Sequence, residues 1–515
     1  MSQSLPEPNA KAYPAPTDAA APLAPARSGK WLAAVMPVVL IAACAELGIS
    51  ILNNSALPIY FMTGLKIMPG IYGFLMVPFF VSEVLFKSPL GILSDKFGRR
   101  PLMLGGAAIS VFTPLILIST KYDPLATTAV ITLLVFGFLR ALDGLGQAAL
   151  WPALYAYVGD VVDEKRRGSA MGALNVVYML GLALSFLVGG FVDDHFGKLF
   201  THQATLGDTF HGLGHSLKSG MHSVGHGLHG ALHRPLGHGH PPHPLAALPA
   251  GPPPVLPSHQ PEYYFPSFIL ASVLFGIALI AALGVRGRLP RQNSPAASED
   301  RNSPATHEET MTWDGFAAAL KSVPQFLALA FVTFLGIGCI SLLVKKFALD
   351  EYGLSESAFG LLVLGPMLGI AAIAVPAGHL ADTWGKTRCV RLGFLLCALG
   401  IWGIPILHHL GAGIAGFMVA SGILGAGFVL AFPAWLALLT SLGGERQRGT
   451  IFAAVSTAQG AGLLLGGLVG TQIYGRVGHI APFVAASILV SLGTLLALIF
   501  VRESALSRRI GGNAA

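Results

Sequence analysis

Long apolar runs recur from end to end of this chain, and they restrict its fold more than any other feature. Apolar residues make up 53% of the sequence and charged residues 11%, too unbalanced for one water-soluble globule. A helix needs about 20 apolar residues to cross a bilayer. The runs therefore predict an all-α integral membrane protein with twelve spans: 31–57, 68–91, 101–120, 126–157, 168–192, 264–285, 323–344, 357–378, 388–407, 412–438, 449–474 and 480–501.

Basic residues collect on one side of this predicted arrangement. An even number of spans places both termini on the same side, and that side also holds Lys96, Lys165-Arg166-Arg167, Arg286 and Arg446. Positively charged loops are retained in the cytoplasm. We therefore expect a multi-pass plasma (inner) membrane protein with both termini cytoplasmic. Membrane topology explains the excess of basic over acidic residues, so no nucleic acid partner is expected.

One charged motif occurs twice. Gly91-Ile-Leu-Ser-Asp95-Lys96-Phe-Gly98-Arg99-Arg100 follows the second apolar run, and Gly378-His-Leu-Ala-Asp382-Thr-Trp-Gly385-Lys386-Thr-Arg388 follows the eighth. An acid, a turn glycine and a basic cluster at a membrane face can hold two helices together in one state and release them in another. We interpret both copies as a conformational latch, formed by Gly91, Asp95, Gly98, Arg99, Arg100, Asp382, Gly385 and Lys386.

Other motifs repeat in the same order. Gly144-x-Gly146 before Trp151-Pro152-Ala153 matches Gly425-x-Gly427 before Phe432-Pro433-Ala434, and Arg167-Gly168-Ser169 matches Arg448-Gly449-Thr450. A shared offset across several helices indicates a duplicated six-helix unit. Such repeats place the substrate path at their interface, near the membrane midplane.

The same features predict the domain boundaries. We expect a disordered cytoplasmic tail at 1–30, a six-helix bundle at 31–285 with a His/Pro/Gly-rich extracytoplasmic insertion at 195–262, a cytoplasmic linker at 286–312, a second bundle at 313–502 and a tail at 503–515.

Three motifs resemble those of the major facilitator superfamily: GILSDKFGRR, Arg140-x-x-x-Gly144-x-Gly146, and the loop from Asp160 to Gly168. The similarity is greatest to the bacterial twelve-helix drug:proton antiporter branch. It implies two pseudo-symmetric six-helix bundles and transport by alternating access. One departure lies on the fifth span, where Ser185-Phe186 stands in place of the family's Gly-Pro.

Charges inside the predicted spans are candidates for proton coupling. A charge at the bilayer centre costs about 2.5–3.5 kcal/mol on insertion scales, and Glu46, Arg140 and Asp143 all lie within spans. The resemblance carries the family's motif arginine over to Arg140, and we expect it to be the charge partner that sets the proton affinity of Glu46. The alternative is a permanent salt bridge between the first and fourth helices. Asp143 is either a second proton carrier or the local counter-ion of Arg140.

The two halves differ in charge. Glu83 and Lys87 are spaced to pair along one helix face. We expect no comparable intramembrane ionisable group in the second half, where Ser421 occupies the position equivalent to Arg140. The predicted substrate cavity is formed by Gln147, Trp151, Tyr155, Phe432 and Gln459, with plain packing as the alternative for each.

Most of the chain's 17 histidines lie between the fifth and sixth spans. Six of them fall on one stripe of a helix: His211, His215, His222, His226, His229 and His233. Neutral imidazoles at this spacing suit Zn, Ni, Cu or Co. The alternative is a low-complexity insertion without selected chemistry, and no other cofactor is expected.

These observations favour proton-coupled export of small organic, drug-like molecules by a monomer surrounded by membrane lipid. One alternative is uptake of a metal, metal chelate or nutrient, with the histidine loop as a capture device. Another is a membrane sensor of external metal or pH that does not transport. An enzyme is not expected, because the sequence has no phosphate loop or nucleophile–base pairing.

Overall fold

The computed structural model describes residues 30–162, 164–200, 260–285, 324–364, 384–439 and 448–501. Within these ranges the chain is helical apart from short connections. The first half contains α1 (Lys30–Ser50), α2 (Pro69–Phe97), α3 (Arg99–Ser119), α4 (Ala129–Val161), α5 (Glu164–Phe200) and α6 (Phe265–Gly284). The second contains α7 (Pro324–Ser341), α8 (Val344–Tyr352), α9 (Lys386–His409), α10 (Gly413–Leu439), α11 (Arg448–Arg476) and α12 (Ala481–Phe500).

Two connections modify this pattern. The first helix does not stop at Ser50 but continues through a π-helical stretch, Ile51–Ala56, a short segment, Leu57–Ile59, and a second π-helical stretch, Tyr60–Gly64. The predicted first span ended at residue 57. A further helix follows α8 and covers residues 356–364 before the described chain breaks off.

The helices match the predicted spans in length and composition. Ten helices in the described portion are long and apolar enough to cross a membrane. The helix α11 occupies the predicted eleventh span, and most of the predicted eighth span lies beyond residue 364. The helix α5 extends to Phe200, so the first residues of the predicted insertion are helical, and residues 201–259 are not described.

A glycine seam joins α11 to α7. Gly462, Gly466 and Gly470 all face the α7 backbone, and a Cβ on Gly470 would lie 2.0 Å from the carbonyl oxygen of Cys339. In a membrane, helices gain no hydrophobic energy by leaving lipid, so close backbone packing at small residues holds them together. The seam therefore fixes the spacing of these two helices.

The two copies of the charged motif have the same backbone. Gly98 has φ 96° and Gly385 has φ 97°, and each directly precedes a helix. These angles are costly for residues that carry a Cβ. The matching turns are the structural counterpart of the sequence repeat.

The two halves meet at one end of the molecule. A Cβ on Gly73 of α2 would lie 2.1 Å from Thr471 Oγ1 of α11, and a Cβ on Gly190 of α5 would lie 2.3 Å from the carbonyl oxygen of Glu356. We call this the closed end. A Cβ on Gly91, at the other end of α2, would meet no described atom within 4 Å. In the predicted orientation, the closed end is extracytoplasmic.

The seam generates the first prediction. Gly470→Ala should lower the midpoint of thermal unfolding of the detergent-solubilised protein, because the added methyl group overlaps the α7 backbone. Gly422→Ala on α10 is the matched control, since its Cβ would meet no described atom within 4 Å and alanine favours a helix by about 1 kcal/mol over glycine. Equal midpoints for the two variants would contradict the seam.

Candidate functional site

Glu46 is a buried acid on α1, with 3% of its surface exposed. Ser50 donates a hydrogen bond from Oγ to Glu46 Oε1 at 2.8 Å. A Cβ on Gly181 of α5 would lie 2.7 Å from Glu46 Cγ, so the side chain lies against α5. Within the described part of the chain, no basic side chain forms an ion pair with it.

Arg140 has other partners, and the predicted pairing of Arg140 with Glu46 is wrong. The fully buried guanidinium pairs with Asp143 and donates a hydrogen bond to Asn53 Oδ1. It also lies over the Phe79 ring, 4.7 Å from the centroid. Asp143 is one helical turn away on α4, so the nearest carboxylate is on the arginine's own helix.

Asp143 completes a network across the first half. Its second oxygen accepts a hydrogen bond from Thr113 of α3. Because Arg140 contacts Asn53 beyond α1 and Phe79 on α2, one buried pair links four consecutive segments. This geometry agrees with the counter-ion interpretation of Asp143. A buried pair of this kind is strongly destabilised when one partner is removed.

The latch residues form their described contacts within the first half. Arg99 donates from Nε to Asp160 Oδ2 at 3.0 Å, and Arg100 donates from Nη2 to the Leu283 carbonyl oxygen at 2.7 Å. Gly385 and Lys386 begin α9. The side chain of Asp95 and the whole of Asp382 lie outside the described residues. The interpretation of these groups as a latch between states remains a prediction.

A second predicted ion pair is present on α2. Lys87 Nζ lies 3.2 Å from Glu83 Oε1. Both side chains are partly exposed, so the pair contributes little to stability.

The predicted cavity residues divide into two groups. Trp151 of α4 packs against Tyr155 and Tyr178, with ring centroids 5.7 and 5.5 Å apart. Gln147 Nε2 donates to Ser110 Oγ at 3.4 Å. These side chains belong to the first half, whereas Phe432 and Gln459 line a cavity in the second half.

That cavity has a volume of about 300 Å³ and lies among α7, α9, α10, α11 and α12. Its walls are apolar and aromatic, and Phe428 stacks on Phe432 with centroids 5.1 Å apart. Thr333, Ser421 and Gln459 supply polar atoms. None of the described residues that line it carries a charge. This cavity lies inside the second half, and the predicted substrate path between the halves remains a prediction.

The sequence missed a buried charge cluster at the closed end. Lys345 of α8 is 2% exposed and pairs with Glu356, in the half where no such group was expected. Lys345 and Glu356 flank apolar runs, where charges usually meet water. Here α8 follows α7 after two residues and stays against the first half, so its lysine is buried. A buried lysine is rare without a partner, but only the fold reveals the burial.

The predicted metal ligands, His211 to His233, lie outside the described residues. Among the residues that are described, no group of three or more His, Cys, Asp or Glu side chains is arranged to hold a metal ion.

Two helical halves that touch at one end, with buried charges in each and an apolar cavity inside the second, are the arrangement expected of a multi-span membrane transport protein. A sequence profile of the Major Facilitator Superfamily matches residues 38–205 and 326–514. The chain belongs to this superfamily. The predicted family and fold class are thereby confirmed, and the family is one of transporters rather than enzymes.

Individual proteins resemble the chain over shorter stretches. Multidrug resistance protein 2 of Bacillus subtilis (strain 168) is 29% identical over 133 residues, 26% of this chain and 30% of the relative. The inner membrane transport protein YajR of Escherichia coli (strain K12) is 31% identical over 144 residues, 27% of each chain. The chain thus spans less than a third of the length of these relatives.

Solved structures share the fold at greater coverage. A bacterial homologue of the human lysosomal transporter Spinster has a TM-score of 0.65 at 14% identity, covering 94% of this chain and 98% of that one. The D-xylose-proton symporter has a TM-score of 0.59 at 13% identity, covering 91% and 96%.

The Arg140 network gives the second prediction. Asp143→Asn should destabilise the protein by about 3–5 kcal/mol, because it leaves a buried guanidinium without a counter-ion. Thermal or denaturant unfolding in detergent measures the change. Glu83→Gln removes a partly exposed partner and should change stability by no more than about 1 kcal/mol. An Asp143→Asn protein as stable as the control would mean that the network does not support the fold.

Proposed function

We propose that this transporter exports small, uncharged and largely apolar organic molecules in exchange for protons. In this proposal it is a monomer in the plasma (inner) membrane with both termini cytoplasmic. The buried acid Glu46, which has no counter-ion among the described side chains, is the observation that carries the proposal. The names of the relatives, which include multidrug resistance proteins, support the export of organic molecules.

Glu46 is the proposed proton carrier. A buried carboxylate without a cation is costly in its ionised form, so a proton is the simplest group to neutralise it. Ser50 can donate to the ionised form and accept from the protonated form. Arg140 and Asp143 already neutralise each other, and they are proposed to hold the first half together while Glu46 titrates.

Movement of the halves gives Glu46 a route to both sides. Glu46 lies against Gly181 on α5, and α5 also contributes Gly190 to the contact at the closed end. A rigid-body rotation of one half against the other changes the surroundings of α5. In an alternating-access cycle, Glu46 then meets water from each side in turn and exchanges its proton there.

The cavity in the second half is the proposed substrate site. Its size is at the lower end of the range for small-molecule pockets, and its aromatic walls suit planar apolar groups. Thr333, Ser421 and Gln459 are positioned to orient a substrate by hydrogen bonds. Because the described residues that line it are uncharged, an ionic substrate would lose hydration without gaining a counter-ion from them.

The two alternatives depend mainly on the histidine-rich loop. Uptake of a metal, metal chelate or nutrient with this loop as the capture device, and sensing of external metal or pH, both assign the central role to the loop that contains His211 to His233, and these residues lie outside the described ones. Nothing in the described part of the chain favours either alternative over export.

Substitution of Glu46 tests the coupling. In proteoliposomes, Glu46→Gln should abolish the movement of a neutral fluorescent dye driven by a pH gradient, because the amide cannot bind and release the proton. Exchange of dye across the membrane without a gradient should continue. Glu83→Gln is the matched control and should retain coupled transport. Coupled movement with unchanged pH dependence in Glu46→Gln would refute the assignment.

Filling the cavity tests the substrate site. Ser421→Phe places a ring in the cavity and should weaken binding of the same dye at least about tenfold, equivalent to about 1.4 kcal/mol. Gly422→Phe introduces the same ring one position along α10, where a Cβ meets none of the described atoms within 4 Å, and should bind dye normally. Equal affinities, measured by fluorescence titration, would place the substrate elsewhere.

A further inference from the structure

The closed end contains carboxylates in excess of the buried cations described there. We propose that Asp193 of α5 is a proton-binding site that controls this end: a proton binds its carboxylate while the two halves are in contact, and leaves when they separate. This site is separate from Glu46. Glu46 lies against Gly181 of α5, and Asp193 is twelve residues further along that helix, about 18 Å at the α-helical rise.

Lys345 connects the halves at this position. Its ammonium group donates to the Ser55 carbonyl oxygen at 2.9 Å and to Ser55 Oγ at 2.8 Å, and it pairs with Glu356. Ser55 belongs to the first half, whereas Lys345 and Glu356 belong to the second. One positive charge and one negative charge are thus balanced within the contact.

Asp194 adds a second connection between the halves and is also well satisfied. Its Oδ2 accepts hydrogen bonds from the Ser357 backbone N–H at 2.8 Å and from Ser357 Oγ at 2.6 Å. Its Oδ1 accepts one from the Tyr263 hydroxyl at 3.1 Å. Three donors therefore satisfy the oxygens of this carboxylate.

Asp193 lacks this compensation. The residue is fully buried, and its Oδ1 accepts a hydrogen bond from the backbone N–H of Ser267 at 3.1 Å, with the Ser267 hydroxyl, which donates to the Gly189 carbonyl oxygen, beside it. Its Oδ2 is buried and has no hydrogen-bond partner among the described residues. A buried ionised carboxylate with an unsatisfied oxygen is costly, and a proton removes the charge.

Among the charged and titratable groups around Asp193, none donates a hydrogen bond to its Oδ2 in the described part of the chain, so a proton is the simplest group that could neutralise the carboxylate. From its own helix come Asp194 and His195. The turn before α6 contributes Tyr263 and Tyr264, and the second half contributes Lys345 and Glu356. His195 does not supply the missing donor, because its Nδ1 contacts the Phe191 carbonyl oxygen and its buried Nε2 has no hydrogen-bond partner in the described part of the chain.

Packing explains why opening would change this site. Gly190 of α5 lies against Glu356, and a Cβ on Gly360 would lie 2.4 Å from Leu187 Cα. Phe186 meets Phe359 edge-on at 5.6 Å. Separating these surfaces removes Lys345 and Glu356 from the neighbourhood of Asp193 and admits water. An ionised Asp193 is then hydrated, so the open state favours loss of the proton.

The direction of the pH effect follows from linkage. If the closed state binds one more proton than the open state, acid favours closure, and the ratio of closed to open changes by up to about tenfold per pH unit. Low pH on the side of the closed end would therefore hold that end shut.

Distance measurements between spin labels test the proposal. Leu125, after α3, and Val477, after α11, are 94% and 73% exposed at the closed end and on opposite halves. Both are replaced by cysteine and labelled in a full-length chain in which the four native cysteines are changed to alanine. Glu46→Gln is included to remove the other proposed proton site. Double electron–electron resonance in nanodiscs then gives the closed fraction from about pH 5 to about pH 8.

We expect the short distance to predominate in acid and to decline with rising pH when Asp193 is present. Asp193→Asn should keep the short distance at every pH, because the amide is neutral like the protonated acid. Asp194→Asn is the matched control: it should weaken the closed state but keep the pH dependence. The assignment fails if Asp193→Asn retains the pH dependence or if Asp194→Asn loses it equally.

A response independent of pH in the chain that retains Asp193 also overturns the proposal, even if the Asp193→Asn protein cannot be produced. The readout needs no transported substrate, so failure here is distinguishable from failure of the proposed export function.

Discussion

Every ionised group buried in this protein needs hydrogen bonds or an opposite charge to replace the water that it loses on burial. This requirement organises the structure around a few polar contacts. Arg140 has three kinds of partner that replace the lost water. Its charge is met by Asp143, by an amide oxygen and by an aromatic ring, and these partners come from consecutive segments of the first half. Packing of the first four helices is therefore tied to one guanidinium.

The same requirement separates groups with fixed charge states from groups that titrate in our proposals. Arg140 with Asp143, and Lys345 with Glu356, are neutral as pairs and resemble structural links. Glu46 and Asp193 are carboxylates that form no ion pair with any described side chain, and they lie at two levels of the first half. A membrane protein that moves protons needs carboxylates without a partner cation. A carboxylate that is paired with a cation stays ionised and does not readily bind a proton.

The two halves are unequal although they descend from one repeated pattern. Arg140 in the first half corresponds to Ser421 in the second, and this exchange replaces a charge by a small hydroxyl at the edge of an apolar cavity. The glycines at the motif turns retain the same backbone in both halves. Duplication has thus kept the turns and helix contacts, while the side chains at equivalent positions differ in chemistry.

Apolar run length and motif repetition were sufficient to predict the helical membrane fold, the two halves and the burial of Glu46, Arg140 and Asp143, because these depend on local composition and spacing. Partners across helices were not predictable. Arg140 was assigned to Glu46 because the resemblance to the family marks it as the motif arginine. The structure instead pairs it with Asp143, one turn away on α4, which the sequence offered as its local counter-ion in one of two interpretations. The burial of Lys345 and Asp193, and the position of the cavity inside one half, depend on how distant segments pack, and only the tertiary structure decides that.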